Sequence, residues 1–176
     1  MRKVILYIAM SLDGFIATES GDVEWLTGQD ATSEEMGSYE DFIQTIDTVV
    51  MGYTTYHQIT TELAPGNWPY KGMKSYVLTH KNDKSDEEIV FTDENIKQLI
   101  ENIKSESGEN IWVCGGANVV NQFMKEDLID RYHITVIPTI LGKGIRLFHD
   151  KNESVKLKLI SSESYNGMID LIYEKR

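Results

Sequence analysis

Cysteine, proline and long hydrophobic runs are scarce in this chain of 176 residues, which contains one cysteine and three prolines. A lone cysteine, Cys114, cannot form an intramolecular disulfide, and its apolar neighbours are typical of an inert core thiol in a reducing compartment. No apolar stretch approaches the roughly 20 residues that a membrane-spanning helix needs. We therefore expect a cytoplasmic protein with no membrane partner.

Basic residues are also in the minority, with 17 Lys and Arg against 28 Asp and Glu and a formal net charge of −11. Nucleic-acid binding depends on cations that neutralise phosphates, so this balance disfavours nucleic acid as a partner. The four histidines show no metal-ligand spacing, and we expect no metal site. Neither a Gly-x-Ser-x-Gly nucleophile elbow nor a Walker pattern is present.

The order of hydrophobic patterns predicts an α/β protein that forms a single domain over residues 1–176. Asn166-Gly167 predicts a two-residue turn, so the carboxyl terminus is expected to be an antiparallel hairpin. Helices are predicted over 33–46, from residue 54, over 92–104 with Thr92-Asp93-Glu94 as its cap, and after Gly116. Strands are predicted over 4–10, 48–51, 75–79, 88–91, 111–114, 131–138, 155–164 and 168–174.

A glycine pair, Gly115-Gly116, joins the apolar strand at 111–114 directly to a helix. Without a Cβ at either position, a pyrophosphate can approach the backbone, and the free N–H groups at the start of the helix stabilise its charge. The pair also fits a simple tight turn, and the residues alone leave both interpretations open.

A second junction of the same kind, at Gly52, is followed by Thr54 and Thr55. Parallel strands place their carboxyl ends at one edge of the sheet, so both junctions should line one cleft. Two helix starts at one cleft suit a ligand with more than one phosphate. The alternative is that Gly52 and the glycine pair are packing glycines in a dimer scaffold.

Five segments in collinear order resemble the dihydrofolate reductase superfamily, in the branch that includes the reductase domain of bacterial riboflavin biosynthesis, RibD. The resemblance implies a three-layer α/β/α fold with a mostly parallel eight-stranded sheet and an antiparallel carboxyl-terminal hairpin. It also implies that the protein binds NADPH and forms a homodimer. The matching segments are 7–17, 21–26, 50–56, 113–117 and 138–148.

By the same resemblance, Ala9 and Ile16 lie near the nicotinamide. The pyrophosphate is held by Gly115, Gly116, Ala117, Asn118 and Val119, with a cis bond between the two glycines. The phosphates and the adenosine side are held by Gly52, Tyr53, Thr54 and Thr55, although the family often has arginine where Tyr53 stands. The 2′-phosphate is read at Leu78, Thr79, His80 and Lys81, where Lys81 supplies a point charge.

The substrate side is less defined, because Ser38 stands where dihydrofolate reductases carry an acid on the first helix. Glu40 and Asp41 lie close by as alternative carboxylates or as solvated surface residues, and Tyr39 lies beside them. Thr135 matches a hydroxyl near the substrate ring, or it reflects ordinary strand propensity. Asp13 is either part of the loop over the nicotinamide or a turn former before Gly14, and Trp25 is either a lid or a loop anchor.

We therefore expect a reductase that transfers a hydride from NADPH to a C=N or C=O carbon of a small heterocyclic or sugar-derived substrate. By resemblance, the closest activity is that of 5-amino-6-(5-phosphoribosylamino)uracil reductase. The alternative is a nucleotide-binding module that kept the phosphate cradle without turnover, which Tyr53 and Ser38 favour.

Overall fold

The fold is built on an eight-stranded sheet with the strand order β5-β4-β3-β6-β1-β7-β10-β9. The computed structural model describes residues 1–33, 35, 37–81 and 83–176. From β5 to β7 neighbouring strands are parallel, whereas β10 is antiparallel to β7 and to β9. The strands of this sheet are β1 Val4–Ser11, β3 Ile46–Gly52, β4 Lys74–Leu78, β5 Ile89–Thr92, β6 Asn110–Gly115, β7 Arg131–Ile137, β9 Leu157–Tyr165 and β10 Met168–Lys175.

Two further strands, β2 Phe15–Ala17 and β8 Ile145–Arg146, form a small antiparallel sheet beside the end of β1. The sequence patterns did not predict this pairing, because strands of two or three residues carry no periodicity. The helices are α1 Tyr39–Ile43, α2 Tyr53–Gln58, α3 Ile96–Ser105 and α4 Ala117–Lys125, and α2 continues as a π-helical segment, Ile59–Leu63.

Helices cover both faces of the sheet, which gives the predicted three-layer α/β/α architecture. On one face, α3 and α4 pack against the central strands through side chains such as Ile100, Val120 and Phe123. On the other face, α1 and the π-helical segment contribute Phe42 and Ile59 to a second cluster. The central strands are therefore buried on both sides, which explains why β6 reads as a continuous apolar run.

The carboxyl-terminal hairpin forms as predicted. Tyr165 pairs with Met168 across the turn, and Asn166 and Gly167 adopt φ values of 45° and 75°. Positive φ at both turn residues is what a two-residue type I′ turn requires, and Asn and Gly tolerate it best.

The first predicted helix is wrong in length. The pattern predicted 33–46, whereas α1 covers only Tyr39–Ile43. Gly37 adopts a left-handed φ of 55°, which interrupts the helix before Ser38, and Ile46 is already the first buried residue of β3. Met36, which belonged to the predicted apolar face, lies outside the described residues.

The predicted cap of α3 is also wrong. Thr92 is the last residue of β5, and the helix begins at Ile96, three residues after Asp93. Asn95 is the N-cap, because its side-chain oxygen accepts hydrogen bonds from the backbone N–H groups of Lys97 at 3.0 Å and Gln98 at 3.3 Å.

Candidate functional site

A cleft opens where strands β1 and β6 separate. The two strands pair only over Val4–Leu6, whereas β1 continues to pair with β7 as far as Ser11. Where the ladder stops, the indole Nε1 of Trp112 donates to the backbone oxygen of Tyr7 at 2.9 Å. Residues 7–10 are only half-buried although β1 is a central strand. The carboxyl end of β1 is therefore accessible to a ligand, at the edge of the sheet where such sites form.

The two helix starts meet beside this cleft, because β3 and β6 are neighbours and Met51 pairs with Gly115. A Cβ built on Gly116 would lie 3.5 Å from Thr55 Oγ1, and one built on Gly52 would lie 3.1 Å from Val119 Cγ2. The segments 52–55 and 115–119 thus face each other across a gap that side chains at these glycines would narrow. The predicted convergence is present in the structure.

The start of α4 suits an anion. Gly116 is its N-cap residue and has no side chain to bond the first N–H groups, which remain for a ligand. The peptide bond between Gly115 and Gly116 is cis, as the resemblance implied. Ala117 and Val119 are buried beneath the turn, while Asn118 is exposed. This bare backbone fits a diphosphate.

A cation lies at the outer end of the same cleft. The ammonium of Lys81 sits over the ring of Tyr53, 3.7 Å from its centre, and the Lys81 backbone N–H donates to Thr79 Oγ1 at 3.0 Å. Leu78 pairs with Gly52, which brings the end of β4 next to the start of α2. Thr54 and His80 are exposed there. Position 53 carries tyrosine where the family often has arginine. The cation near this position is instead Lys81, which follows the neighbouring strand β4.

On the other side of the cleft, two polar residues on neighbouring strands lie in register with Ala9. Thr135 on β7 pairs with Ala9 on β1 and with Asp170 on β10. Paired residues on neighbouring strands point to the same face of the sheet. Ala9, predicted for the nicotinamide, and Thr135, predicted for the substrate ring, therefore lie side by side, and Asp170 extends the row by one strand.

Asp170 is a buried carboxylate, 2% exposed, that accepts hydrogen bonds at both oxygens. Its Oδ1 accepts from Thr135 Oγ1 at 2.5 Å and from the Tyr165 hydroxyl at 3.3 Å, and its Oδ2 accepts from the Ser38 hydroxyl. Burial raises the pKa of Asp170, but the nearby imidazole of His133 and the hydrogen bonds from Ser38 and Thr135 outweigh it and lower the pKa to about 2. The carboxylate is ionised at neutral pH.

His133 completes this cluster. Its Nε2 lies 2.8 Å from Ser38 Oγ and 3.7 Å from Asp170 Oδ2. Its ring packs edge-on against Tyr7, with ring centres 4.3 Å apart. The pKa of Tyr7 is raised by burial and then by the charge of Asp170, so its hydroxyl stays protonated. We call Tyr7, Ser38, His133, Thr135, Tyr165 and Asp170 the Asp170 cluster.

The cluster does not form a hydrolytic triad. In such a triad one imidazole nitrogen contacts the nucleophile and the other contacts the acid. Here the same nitrogen of His133 faces both Ser38 and Asp170. The arrangement fixes the position of the Ser38 hydroxyl, but His133 is not oriented to remove the proton of that hydroxyl.

The remaining predicted substrate residues, Asp13, Trp25 and Tyr39, lie outside the Asp170 cluster. Asp13 joins two loops: its carboxylate accepts from Ser11 Oγ at 2.6 Å, Leu141 N at 3.1 Å and Gly142 N at 2.7 Å. The first of these bonds, followed by the backbone ones, lowers the pKa of Asp13. These contacts match its turn-forming interpretation.

Trp25 is half-buried and donates to the Asp22 carbonyl at 3.2 Å, which makes it an anchor within its own loop. Ile16 packs at the edge of the α3–α4 core, and Tyr39 packs edge-on against Tyr7, with ring centres 5.8 Å apart. Glu40 and Asp41 are exposed in the first turn of α1. Within the described residues, no hydrogen bond or ion pair joins these two carboxylates to the Asp170 cluster.

Sequence reasoning missed Asp170 and His133. A signal for Asp170 was present, because it is the one charged residue in the otherwise apolar run from Met168 to Tyr173. An acid at an inward position of a strand is costly unless it is paired, so it marks a polar site. His133 gave no comparable signal, because its contact with Ser38 depends on the path of the loop before α1.

A separate groove of about 920 Å³ lies along α4, between this helix and the segment after His149. Of the residues predicted to hold the cofactor, Asn118 alone lines it. Asn121 supports this groove by accepting from His149 N at 3.0 Å and donating to Leu147 O at 2.8 Å. The groove is distinct from the cleft between β1 and β6.

Among the residues that the structure describes, no helix is long and apolar enough to cross a bilayer. The same residues contain no group of three or more His, Cys, Asp or Glu side chains arranged to hold a metal ion.

Comparisons with known proteins agree with this architecture. The chain is 43% identical over 173 residues to the uncharacterized protein YwjB of Bacillus subtilis (strain 168), covering 98% of this chain and 97% of that one. A solved structure of a Shewanella sp. PV-4 protein named for riboflavin biosynthesis has a TM-score of 0.86 at 24% identity and covers 99% of both chains.

A third relative is the diaminohydroxyphosphoribosylaminopyrimidine deaminase/5-amino-6-(5-phosphoribosylamino)uracil reductase of Thermotoga maritima. Its structure matches with a TM-score of 0.74 at 18% identity, over 99% of this chain and 57% of that one. At this identity the likeness concerns the fold. The model of the RibD C-terminal domain matches residues 2–170, and this chain accordingly belongs to the RibD C-terminal domain family.

Proposed function

We propose that this protein is an NADPH-dependent reductase that acts on a C=N or C=O bond of a small heterocyclic or sugar-derived substrate. The observation that carries the proposal is the pair of glycine-led helix starts that meet beside the gap between β1 and β6. An adjacent row of polar side chains supplies a place for a second molecule.

The proposal assigns the cofactor residues as follows. The backbone at Gly115 and Gly116 and the start of α4 hold the diphosphate, while Thr55 faces it from α2. Ala9 and Ile16 border the nicotinamide, and Lys81, held by Tyr53, meets the 2′-phosphate. Bound NADPH would supply the hydride, while these residues orient it and exclude water.

The substrate is placed on the face shared by Ala9, Thr135 and Asp170, with Ser38 and Tyr39 at its border. The Thermotoga relative is named as a 5-amino-6-(5-phosphoribosylamino)uracil reductase, and its reductase activity supports the same reaction class here. The substrate of this chain is proposed only at the level of that class. We further propose that the protein works in the cytoplasm as a homodimer.

A non-catalytic nucleotide-binding module is the second candidate. The exposed positions of Glu40 and Asp41 favour it, because neither carboxylate reaches the Asp170 cluster to act as an acid there. Both candidates require the cofactor site, and they differ only in turnover.

The test has two stages. NADPH is first titrated while its fluorescence and the protein's tryptophan fluorescence are followed, with NADH as the comparison. NADPH oxidation is then followed with 5-amino-6-ribosylaminouracil phosphate, dihydrofolate and a panel of cyclic imines and small carbonyl compounds. Saturable binding with oxidation supports the reductase, binding without oxidation supports the module, and no binding at about 1 mM NADPH contradicts both.

A further inference from the structure

The Asp170 cluster places a fixed negative charge on the substrate side of the cleft. In the described part of the chain, no lysine or arginine nitrogen lies within 4.0 Å of the Asp170 carboxylate, and His133 Nε2 at 3.7 Å is the one basic nitrogen in that range. The hydroxyl groups that donate to the carboxylate stabilise its charge and carry none of their own, and among these neighbours only His133 can bear a positive charge. A buried, ionised carboxylate with this surrounding is a strong source of negative potential.

The donors to Asp170 come from separate elements, so the cluster also fixes their positions. Ser38 precedes α1, Thr135 lies on β7 and Tyr165 on β9, and each donates a hydroxyl hydrogen bond to the same carboxylate. Asp170 is 2% exposed, whereas Ser38, like Tyr7 and Tyr165, is half-buried. The Ser38 hydroxyl also has a second partner, His133 Nε2 at 2.8 Å, so its position is fixed from two sides.

Given the proposed reductase function, we infer that Asp170 positions Ser38 against the substrate and that its charge selects a substrate with a protonated nitrogen, an iminium, over a neutral carbonyl compound. Asp170 is a positioning residue in this scheme, and Ser38 is the group that touches the substrate. Glu40 and Asp41 have no part in it.

The charge balance of the reaction gives this selection its physical basis. Hydride addition to an iminium forms a C–H bond at carbon, and the C=N π pair passes to nitrogen, which already carries a proton from solvent. The nicotinamide of bound NADPH would supply the hydride and retain the positive charge, so no negative atom would be created near Asp170. Addition to a carbonyl instead leaves a negative oxygen, which a nearby carboxylate disfavours. An adjacent anion also raises the pKa of a bound imine and so its protonated fraction.

The effect has an expected size. Ala9 and Asp170 are two strands apart, which corresponds to roughly 10 Å at the usual strand spacing. A unit charge at that distance in a partly buried site changes the binding of a cation by about tenfold.

Two probes of equal shape test the inference without turnover. Benzamidine is a planar cation with a C=N group, and benzamide is its neutral counterpart. Their affinities are measured by calorimetry in the presence of saturating NADP⁺, for the wild type, Asp170→Asn and Glu174→Gln. Glu174 is the matched control because it is an ionised carboxylate on the same strand whose pKa is also lowered to about 2, chiefly by hydrogen bonds from Lys3 and Arg131.

We expect the wild type and Glu174→Gln to bind benzamidine about tenfold more tightly than benzamide, and Asp170→Asn to lose that preference. Thermal unfolding of each variant shows whether it remains folded, and Thr135→Val, which keeps the charge, is expected to keep the preference if Asp170→Asn unfolds. Equal affinities in the wild type, or a preference that Asp170→Asn retains, overturn the inference. So does the absence of benzamidine binding at about 10 mM. A wild type that fails to bind NADPH overturns the reductase proposal itself, which is a separate result.

Discussion

The ammonium of Lys81 lies 3.7 Å from the centre of the Tyr53 ring. This contact holds a flexible lysine above the start of α2, in the part of the cleft proposed for the 2′-phosphate. A ring face attracts a cation, and it leaves the outward N–H groups of the ammonium for a phosphate.

Lys81→Met is therefore expected to weaken NADPH binding by about tenfold and to leave NADH binding nearly unchanged, because only NADPH carries the 2′-phosphate. Tyr53→Leu should have a smaller effect in the same direction, since it frees the lysine without removing its charge. Fluorescence titration of both nucleotides measures the two ratios. Lys97→Met, an exposed lysine on α3, is the control. Equal losses for NADPH and NADH would show that Lys81 does not read the 2′-phosphate.

Gly116→Ala tests the phosphate cradle directly. Gly116 has φ −74°, which alanine tolerates, and its added Cβ would meet Thr55 Oγ1 at an ordinary 3.5 Å. The fold is therefore expected to remain, with a Tm change of a few degrees, while NADPH affinity falls at least about tenfold because the methyl group fills the gap between the two helix starts. Gln122→Ala, an exposed position on the same helix, should leave affinity unchanged. A Gly116→Ala variant with wild-type affinity would contradict the proposed place of the diphosphate.

Acid should destabilise the protein partly through Asp170. The pKa of this carboxylate falls from 3.8 to about 2 in the folded chain, because the nearby imidazole of His133 and the hydrogen bonds from Ser38 and Thr135 outweigh the effect of burial. Because the pKa is lower in the folded chain than in the unfolded one, Asp170 adds about 2 kcal/mol to the free energy of unfolding above pH 3.8. This contribution is lost as the pH falls from 3.8 toward 2.

Urea unfolding at pH values from 5 down to about 2 measures this loss. The slope of stability against pH should be shallower for Asp170→Asn than for the wild type, and the difference should lie below pH 3.8. Parallel curves for the two proteins would mean that Asp170 has an ordinary pKa.

The sheet ends at β9, and apolar side chains are exposed beside that edge. Leu159 and Ile160 on β9 and Ile169 on β10 are 50%, 45% and 44% exposed. Exposed strands with apolar side chains are suited to pairing with a second chain. We expect a dimer by light scattering after size exclusion, and a monomer for Leu159→Lys combined with Ile169→Lys.

Ile140→Lys provides the control, because Ile140 is 71% exposed but lies in a loop. It should remain dimeric. A monomeric wild type at about 100 μM would rule out this edge as an interface of useful strength.

Much of the fold followed from local pattern. The run at β6, the glycine pair and the Asn166-Gly167 turn each depend on residues that are adjacent in sequence, and each appears in the structure as predicted. The prediction for α1 failed because a distant contact helps to decide the local shape. α1 begins only at Tyr39, because Gly37 adopts a left-handed φ of 55° and Ser38 bonds to Asp170, which lies 132 residues further along the chain.

The site divides in the same way. The proposed cofactor half consists of segments that directly follow strands, so these segments could be picked out from where strands end, and the adjacency of Gly116 and Thr55 is present in the structure. The polar half depends on register across β1, β7 and β10. Thr135 and Asp170 lie 35 residues apart, on the paired strands β7 and β10. The register of two strands cannot be deduced from either strand alone, which is why Thr135 was named and its partner Asp170 was not.

The early end of pairing between β1 and β6 leaves main-chain groups of β1 open to the nicotinamide of the proposed cofactor. Tyr7 directs its carbonyl to the β6 side, and in a parallel strand Ala9, two residues on, directs its amide and carbonyl the same way. Those two main-chain groups lie past the point where β6 supplies partners. A planar carboxamide inserted between the strands would donate to one and accept from the other, and in doing so it would take the place of the missing rung of the sheet.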